Sequence, residues 1–331
     1  MSAILEWGQR APQRLAHVSG DARLTYAELV ARASALAAWI RRTQPARQQP
    51  IVLLGHREPQ LLIGMLGCAL ARRPYIPIDD SLPAARRIWI ANTAHATLTL
   101  TRADIDRVAP RATRIDIPDV VAPASRADDA DDLLYVMFTS GSSGEPKGVQ
   151  ITHGCVSAFL HWMTQEHAFA PGEETFLNQA NFSFDLSVMD IYLSLVTGGT
   201  LVSATREHAN NPRALFTLLR ETPITTWVST PTFAAMCLAE STFAAPSIPT
   251  LRRFLFCGEV LPRAVAKALL ERFPNSEVWN TYGPTEATVA STSVRITSEV
   301  VAMGDALPVG RAMPGTTVDV RNDDDTPVAP G

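Results

Sequence analysis

The densest concentration of chemistry in the sequence is Thr139-Ser-Gly-Ser-Ser-Gly-Glu-Pro-Lys-Gly148, which directly follows the apolar run Leu133–Phe138. A short apolar run of this kind reads as a buried strand. A loop of Gly and hydroxyl residues at its end exposes backbone N–H groups that can wrap phosphate oxygens. Thr139, Ser140, Gly141, Ser142, Ser143 and Gly144 supply that cradle, and Lys147 adds a positive charge. A Walker A loop is excluded, because that motif puts Gly before Lys and Ser or Thr after it. Lys147 stands between Pro146 and Gly148 instead. The competing reading, a Gly/Ser surface turn, leaves the preceding strand and the Pro-Lys-Gly tail unexplained.

Two further segments can do chemistry. Asn280-Thr-Tyr-Gly-Pro-Thr-Glu286 follows an expected strand at 277–281. Gly283-Pro284 forces a tight turn at the strand's C-terminal edge, where α/β proteins bind ligands; the plain alternative is a turn with an exposed Tyr and Glu. In Ser183-Phe-Asp-Leu-Ser-Val-Met189, Asp185 opens a helix and shares one face of it with Met189, four residues on. Asp185 alone would read as a helix N-cap. Leu255 and Cys257 alternate, so both point to one side of their strand, and a small buried strand residue is the plain alternative for Cys257.

The elements that must position these residues alternate between strand and helix. Residues 24–41 read as an amphipathic helix, with Thr25 and Glu28 in a capping-box pattern and Leu29, Ala33, Leu36 and Ile40 at helical spacing. A strand at Ile51–Leu54, a helix at 58–71 and extended structure at 74–79 follow. Residues 120–132, rich in Ala, Asp and Pro, read as a linker. Alternation then resumes, with helices at 155–165, 186–196, 212–220 and 262–273. Strands are expected at 133–138, 199–203, 224–229, 254–257 and 277–281. This pattern predicts an α/β fold with mostly parallel sheets and helices on their faces. The chain divides into a first α/β subdomain at 1–125 and a second at 126–305 carrying the site. At 306–331 a β-rich unit starts, with a strand expected at 316–320.

Composition narrows the function classes. In 331 residues, 46% are hydrophobic and 19% charged, an ordinary globular balance. The net charge of −4 and scattered Lys and Arg argue against a nucleic-acid surface or an anionic-membrane anchor. Cys68, Cys155, Cys237 and Cys257 are widely spaced and fit neither a disulfide framework nor a zinc site, so reduced thiols and a cytoplasmic location are expected. The N-terminus lacks signal-peptide character. The longest apolar run, residues 61–71, is shorter than the ~18–20 residues a membrane span needs.

The ordered motifs Leu24-Thr-Tyr-Ala-Glu-Leu, Pro74-Tyr-Ile-Pro-Ile-Asp, Thr139–Gly148, Phe184-Asp-Leu-Ser-Val and Asn280–Glu286 resemble the core motifs of the adenylate-forming superfamily. That superfamily includes acyl-CoA synthetases and nonribosomal peptide synthetase adenylation domains, and the resemblance covers the whole chain. It implies the family's large N-terminal domain: two packed α/β subdomains plus the start of a small β-barrel. It implies ATP as substrate and Mg²⁺ as metal. Tyr282 would stack on adenine, with Asn280, Thr281, Gly283 and Pro284 beside it and Gly258 and Glu259 bordering it. Thr285 would contact the α-phosphate, and Glu286 would help hold Mg²⁺, as a hard carboxylate oxygen suits. Thr139, Lys147, Thr285 and Glu286 become the candidate catalytic residues.

The substrate also follows from the resemblance. In members that activate amino acids, the residue at the Asp185 position holds the α-ammonium group. Matched pocket positions are Leu186, Met189, Val228, Leu255, Cys257, Thr281, Val289 and Ala290, an apolar set with no second charge that suits a small aliphatic side chain. Phe176-Leu-Asn-Gln-Ala and Phe254-Leu-Phe-Cys-Gly-Glu-Val-Leu-Pro262 are similar to the branch that loads D-alanine onto a carrier protein's phosphopantetheine thiol. In that branch the Cys257 position is tied to preference for the D enantiomer, whereas Val228 replaces a common hydroxyl residue. An adenylation domain for another small amino acid is the second expectation, and a non-catalytic nucleotide-binding module the third. The family's later motifs are not found in the 331 residues: the ribose-gripping Asp, the hinge and the small domain with its catalytic Lys. The corresponding expectation is partial binding-site retention with little adenylation and no thioester formation.

Overall fold

A computed structural model of the chain describes residues 1–44, 49–111, 130–139, 146–304 and 306–328. In chain order the first strands are β1 (Leu15–Ser19), β2 (Ala22–Thr25), β3 (Ile51–Gly55), β4 (Tyr75–Asp79), β5 (Leu98–Thr101), β6 (Leu133–Thr139) and β7 (Lys147–Thr152). There follow β8 (Thr175–Asn178), β9 (Thr200–Ser203), β10 (Thr226–Ser229), β11 (Arg253–Phe256), β12 (Glu277–Tyr282), β13 (Thr292–Ile296) and β14 (Arg311–Ala312). Among the described residues they form two sheets, one of nine strands ordered β14-β13-β12-β11-β10-β8-β9-β1-β2 and one of five ordered β5-β3-β4-β6-β7.

Both sheets are parallel through their middles. In the larger, β1, β9, β8, β10, β11 and β12 run together, with β2, β13 and β14 added antiparallel at the edges. In the smaller, β5, β3, β4 and β6 are parallel and β7 returns antiparallel along β6. The α/β expectation is met. Both sheets draw strands from either side of residue 125: β1 and β2 join the larger sheet, and β6 and β7 join the smaller. A division by chain position and a division by sheet are thus different divisions.

Local signals account for the helices that were expected. Helix Tyr26–Thr43 carries the full capping box: the Thr25 hydroxyl accepts from the Glu28 N–H, and the Glu28 carboxylate accepts from the Thr25 N–H at 2.9 Å. Its Leu29, Ala33, Leu36 and Ile40 face is buried. Helix Leu186–Val196 is different, because all of residues 186–195 are buried. A helix without a solvent face must be enclosed on every side. It lies between the sheets: Tyr192 hydrogen-bonds Tyr75 of β4 at 2.8 Å, while Val228 and Leu255 of the larger sheet share its apolar cluster. A second cluster covers the far face of the larger sheet, built on Trp227, Phe254 and Phe273.

The strand expected at 316–320 does not form. Residues 317–320 are exposed and Thr316 half-buried, no described strand runs beside them, and the pairing at their end is confined to the Val320 carbonyl accepting the Val328 N–H at 2.8 Å and an isolated Arg321–Pro327 bridge across the turn at Asn322–Thr326. A strand without a neighbour leaves its backbone groups to water. No helix among the described residues is long and apolar enough to cross a membrane.

Candidate active site

The C-terminal ends of the parallel strands in both sheets converge on one cavity of about 750 Å³. From the smaller sheet come Asp79 at the end of β4 and Thr139 at the end of β6. From the larger come Asp185 beyond β8, Cys257 and Gly258 after β11, and Gly283, Pro284 and Thr285 after β12. Ligands of open α/β sheets bind at this edge because the loops there are free to vary while the strands hold them rigidly. Leu186 and Val289 complete the set of expected residues that line the cavity.

Asp185 is the half-buried acid of this wall. It stands at the N-cap position of helix Leu186–Val196 without a side-chain capping bond, so capping is not what occupies its carboxylate. Burial raises its pKa, opposed by hydrogen bonds from the Thr285 hydroxyl and the Leu186 N–H, while the nearby Glu286 charge raises it further. A desolvated carboxylate with few donors is suited to receiving a cationic group.

Cys257 borders the same end of the cavity. Its thiol donates to the Val289 carbonyl at 3.3 Å, and burial pushes its pKa up to about 11, so it stays protonated and acts as shape rather than as a nucleophile. The loop carrying Val289 is strained. Thr288 and Val289 are β-branched yet hold φ of +60° and +69°, a region costing on the order of 1–3 kcal/mol per residue. Hydrogen bonds Ala290 N–H to Thr288 O and Ser291 N–H to Tyr282 O, both 2.8 Å, hold the turn closed. A Cβ on Gly283 would fall 2.6 Å from the Ala290 Cα, so only glycine lets the two arms of the loop meet.

Other expected residues sit behind or beside the cavity. Met189, Val228, Leu255 and Ala290 are buried in the apolar cluster that also contains Cys257 and Val289. Thr281 is buried with its hydroxyl donating to the Phe256 carbonyl at 2.8 Å, and Asn280 donates to the Pro308 carbonyl at 2.8 Å; both polar groups are engaged in tying strands and loops together. Tyr282 and Glu286 are exposed. Glu259 is also exposed, its carboxylate accepting the Thr232 N–H at 3.0 Å in the first turn of helix Pro231–Leu238. Lys147 is exposed opposite Thr139 in the β6–β7 pairing, so the two expected residues face each other at the mouth of the intervening loop. Ser140, Gly141, Ser142, Ser143 and Gly144 lie outside the described residues.

One wall of the cavity was not anticipated. Asn181, Ser183 and Phe184 line it from the loop before Asp185, and Ile78, Asp79, Ser81 and Arg86 line it from β4 and beyond. Asp79 accepts from His56 Nδ1 at 2.5 Å, from the Ser81 hydroxyl at 2.5 Å and from Arg206 at 3.0 Å, and stays ionised well below the usual carboxylate range. The motif Pro74–Asp79 marks this segment as a strand, but its place beside β6 rests on the parallel pairing of Tyr75 with Tyr135, which no local pattern encodes. The four cysteines are free, with Cys155 exposed and the other three buried.

Comparison with known proteins places these features in context. Residues 4–331 match the family model described as AMP-binding enzyme. The chain is 44% identical over 320 residues to a D-alanine–D-alanyl carrier protein ligase of Bacillus cytotoxicus, covering 94% of this chain and 63% of the relative. It is 42% identical over 327 residues to the ligase of the same name from Bacillus cereus, with 94% and 63% covered. The chain therefore spans 63% of the length of these curated relatives. Among solved structures, the Vibrio cholerae adenylation domain AlmE, in complex with glycyl-adenosine-5'-phosphate, superposes with a TM-score of 0.85 at 21% identity, over 98% of this chain and 66% of that one. The N-terminal subdomain of Klebsiella oxytoca NpsA, bound to 3-hydroxyanthranilyl-AMSN, gives a TM-score of 0.80 at 20% identity, over 100% and 84%.

Proposed function

Since the chain belongs to the AMP-binding enzyme family, we propose that its cavity binds ATP and a small amino acid, D-alanine in the first instance, for formation of the aminoacyl adenylate. The observation that carries this is Asp185: one half-buried carboxylate beside Cys257 and Leu186 in an otherwise apolar end of the cavity, facing the Thr285 loop. The names of the relatives at 42–44% identity support the choice of D-alanine and of a phosphopantetheinylated carrier protein as the later acceptor.

In this reading the amino acid's ammonium group meets Asp185, and its carboxylate attacks the α-phosphorus of ATP. A carboxylate oxygen–phosphorus bond forms, the bond to the β-phosphate oxygen breaks, and pyrophosphate leaves. Thr139 and Thr285 present hydroxyls to the phosphate oxygens from opposite sides of the cavity, Lys147 lends positive charge at the mouth of its loop, and Tyr282 offers an exposed ring for adenine. Holding the two reactants in line and stabilising the developing charge are the protein's whole contribution. Mg²⁺ favours one or two carboxylates together with substrate phosphates over an all-protein cage. Exposed Glu286, next to the Thr285 loop, fits that donor set, and the metal would neutralise charge on the phosphates. ATP as substrate favours a cytoplasmic site of action.

The test is calorimetric titration with non-hydrolysable acyl-sulfamoyl-adenosines bearing D-alanyl, L-alanyl, glycyl and propionyl groups. D-alanyl is expected to bind tightest and propionyl, which lacks the amine, at least about 30-fold more weakly, as for loss of one charged hydrogen bond. Tighter binding of the L-alanyl than the D-alanyl probe would remove D-alanine. Equal binding of propionyl and D-alanyl would remove an amino acid altogether.

A further inference from the structure

Arg57 is a buried cation in the loop that follows β3, and nothing in the chemistry above uses it. It is 5% exposed, belongs to the smaller sheet by sequence, and reaches across to the larger one. One guanidinium nitrogen, Nη2, donates to Asn181 Oδ1 at 2.6 Å; the other, Nη1, donates to the Ala204 carbonyl just beyond β9. Nε is buried without a partner. The charge is held between Asp190 and Asp79, with Arg206 on the unfavourable side, and burial lowers the guanidinium's pKa only to about 10, so Arg57 remains cationic. Its neighbour His56 is itself fixed, by Asp79 and by Glu58, which accepts the His56 N–H at 2.6 Å.

Asn181 is where this contact becomes functional, since it lines the cavity at the base of the loop that ends in Asp185. From Asn181 the loop is wired by short local bonds: its carbonyl accepts the Phe184 N–H at 2.9 Å, and the Phe184 carbonyl accepts the Ser187 hydroxyl at 2.7 Å. Asn178 ties the loop's other end to helix Leu186–Val196 through Asp190 at 3.0 Å. Among these bonds, the Arg57–Asn181 bond comes from the other sheet. We propose that Arg57 is a positioning residue that sets the amine-binding loop, and hence the Asp185 carboxylate, against the walls contributed by the smaller sheet. A planar fork reaching two acceptors in different directions suits Arg and not Lys.

This inference rests on the amine-binding role of Asp185, and the D-alanyl and propionyl sulfamoyl-adenosine probes separate the two. If the wild-type chain prefers the D-alanyl probe, Arg57→Gln is expected to shrink that preference about tenfold, with propionyl affinity within about twofold of wild type. Arg57→Lys, which keeps charge but not the fork, should fall between. A folded Arg57→Gln with an unchanged preference overturns the inference and leaves the Asp185 role standing. So does equal weakening of both probes, the mark of a merely structural residue. No preference in the wild type instead removes the Asp185 role itself. Should Arg57→Gln fail to fold, Asn181→Ala deletes the same hydrogen bond from its other end, and an unchanged preference there overturns the inference equally.

Discussion

Thr285, in the turn after β12, and Asp185, at the N-terminus of the buried helix Leu186–Val196, line the same cavity, and the Thr285 hydroxyl works against burial in setting the Asp185 pKa. The loop proposed to touch the α-phosphate and the acid proposed to hold the amine therefore share one cavity wall. A substrate ammonium group entering beside Asp185 brings its own carboxylate, only two bonds away through the α-carbon, toward Thr285. This shared wall couples the two halves of the site.

Asp185→Asn should separate function from stability. The folded-state pKa of Asp185 is raised, so the unfolded chain ionises first as pH climbs; stability falls as pH rises from the ordinary carboxylate range through the raised folded value, and the full cost remains above it. In the ligand-free protein the Asn variant is expected to melt about 2 °C higher near neutral pH. That gain should vanish toward about pH 3, where both states of the wild type are protonated. The same variant should lose its preference for the D-alanyl over the propionyl probe. Differential scanning fluorimetry across pH and calorimetry check the two halves.

The cysteines should react unequally. Burial holds the Cys257 thiol near 11 and the Cys68 and Cys237 thiols near 12, while Cys155 is exposed. Intact-mass measurement after brief maleimide treatment of the native protein at neutral pH is expected to show one adduct, lost in Cys155→Ser. Cys257→Ala should retain folding and narrow the difference between D-alanyl and L-alanyl probes about tenfold, by opening space beside the substrate α-carbon.

Gly283→Ala should be costly despite adding one methyl group. The new Cβ would meet backbone on both nearest approaches, 2.6 Å to Ala290 Cα and 2.8 Å to Ser291 N, so no side chain can rotate away. A loss of about 1–3 kcal/mol is expected from chemical denaturation, with weakened binding of both acyl-sulfamoyl-adenosine probes alike.

Glu286→Gln should reveal the metal. Its exposed carboxylate makes little difference to folding, so melting should be unchanged. ATP affinity measured with Mg²⁺ is expected to fall about tenfold, whereas ATP affinity in excess chelator should match the wild type. Equal loss under both conditions would remove Glu286 as a metal ligand.

What the residues themselves determined was local and periodic. The Thr25–Glu28 capping box and the apolar faces of helices and strands depend on groups a few residues apart and are found as expected, whereas the turn expected at Gly283-Pro284 falls just after it, in the 3-10 turn Thr285–Ala287 and the left-handed Thr288 and Val289. The motif resemblance carried the family and the list of candidate residues, because core motifs report chemistry at chain positions. Three-dimensional pairing decided the rest. The parallel pairing of Tyr75 with Tyr135 sets Asp79 and Arg86 into the cavity wall, and the sandwiching of helix Leu186–Val196 leaves Met189 and Val228 behind the lining. The Arg57–Asn181 bond likewise joins two sheets. Parallel strands must be connected through long crossovers, so neighbours in space are remote in the chain, and no local pattern records which edges meet. The failed strand at 316–320 shows the converse: alternation supplies a face, and only a neighbouring strand makes it a β-strand.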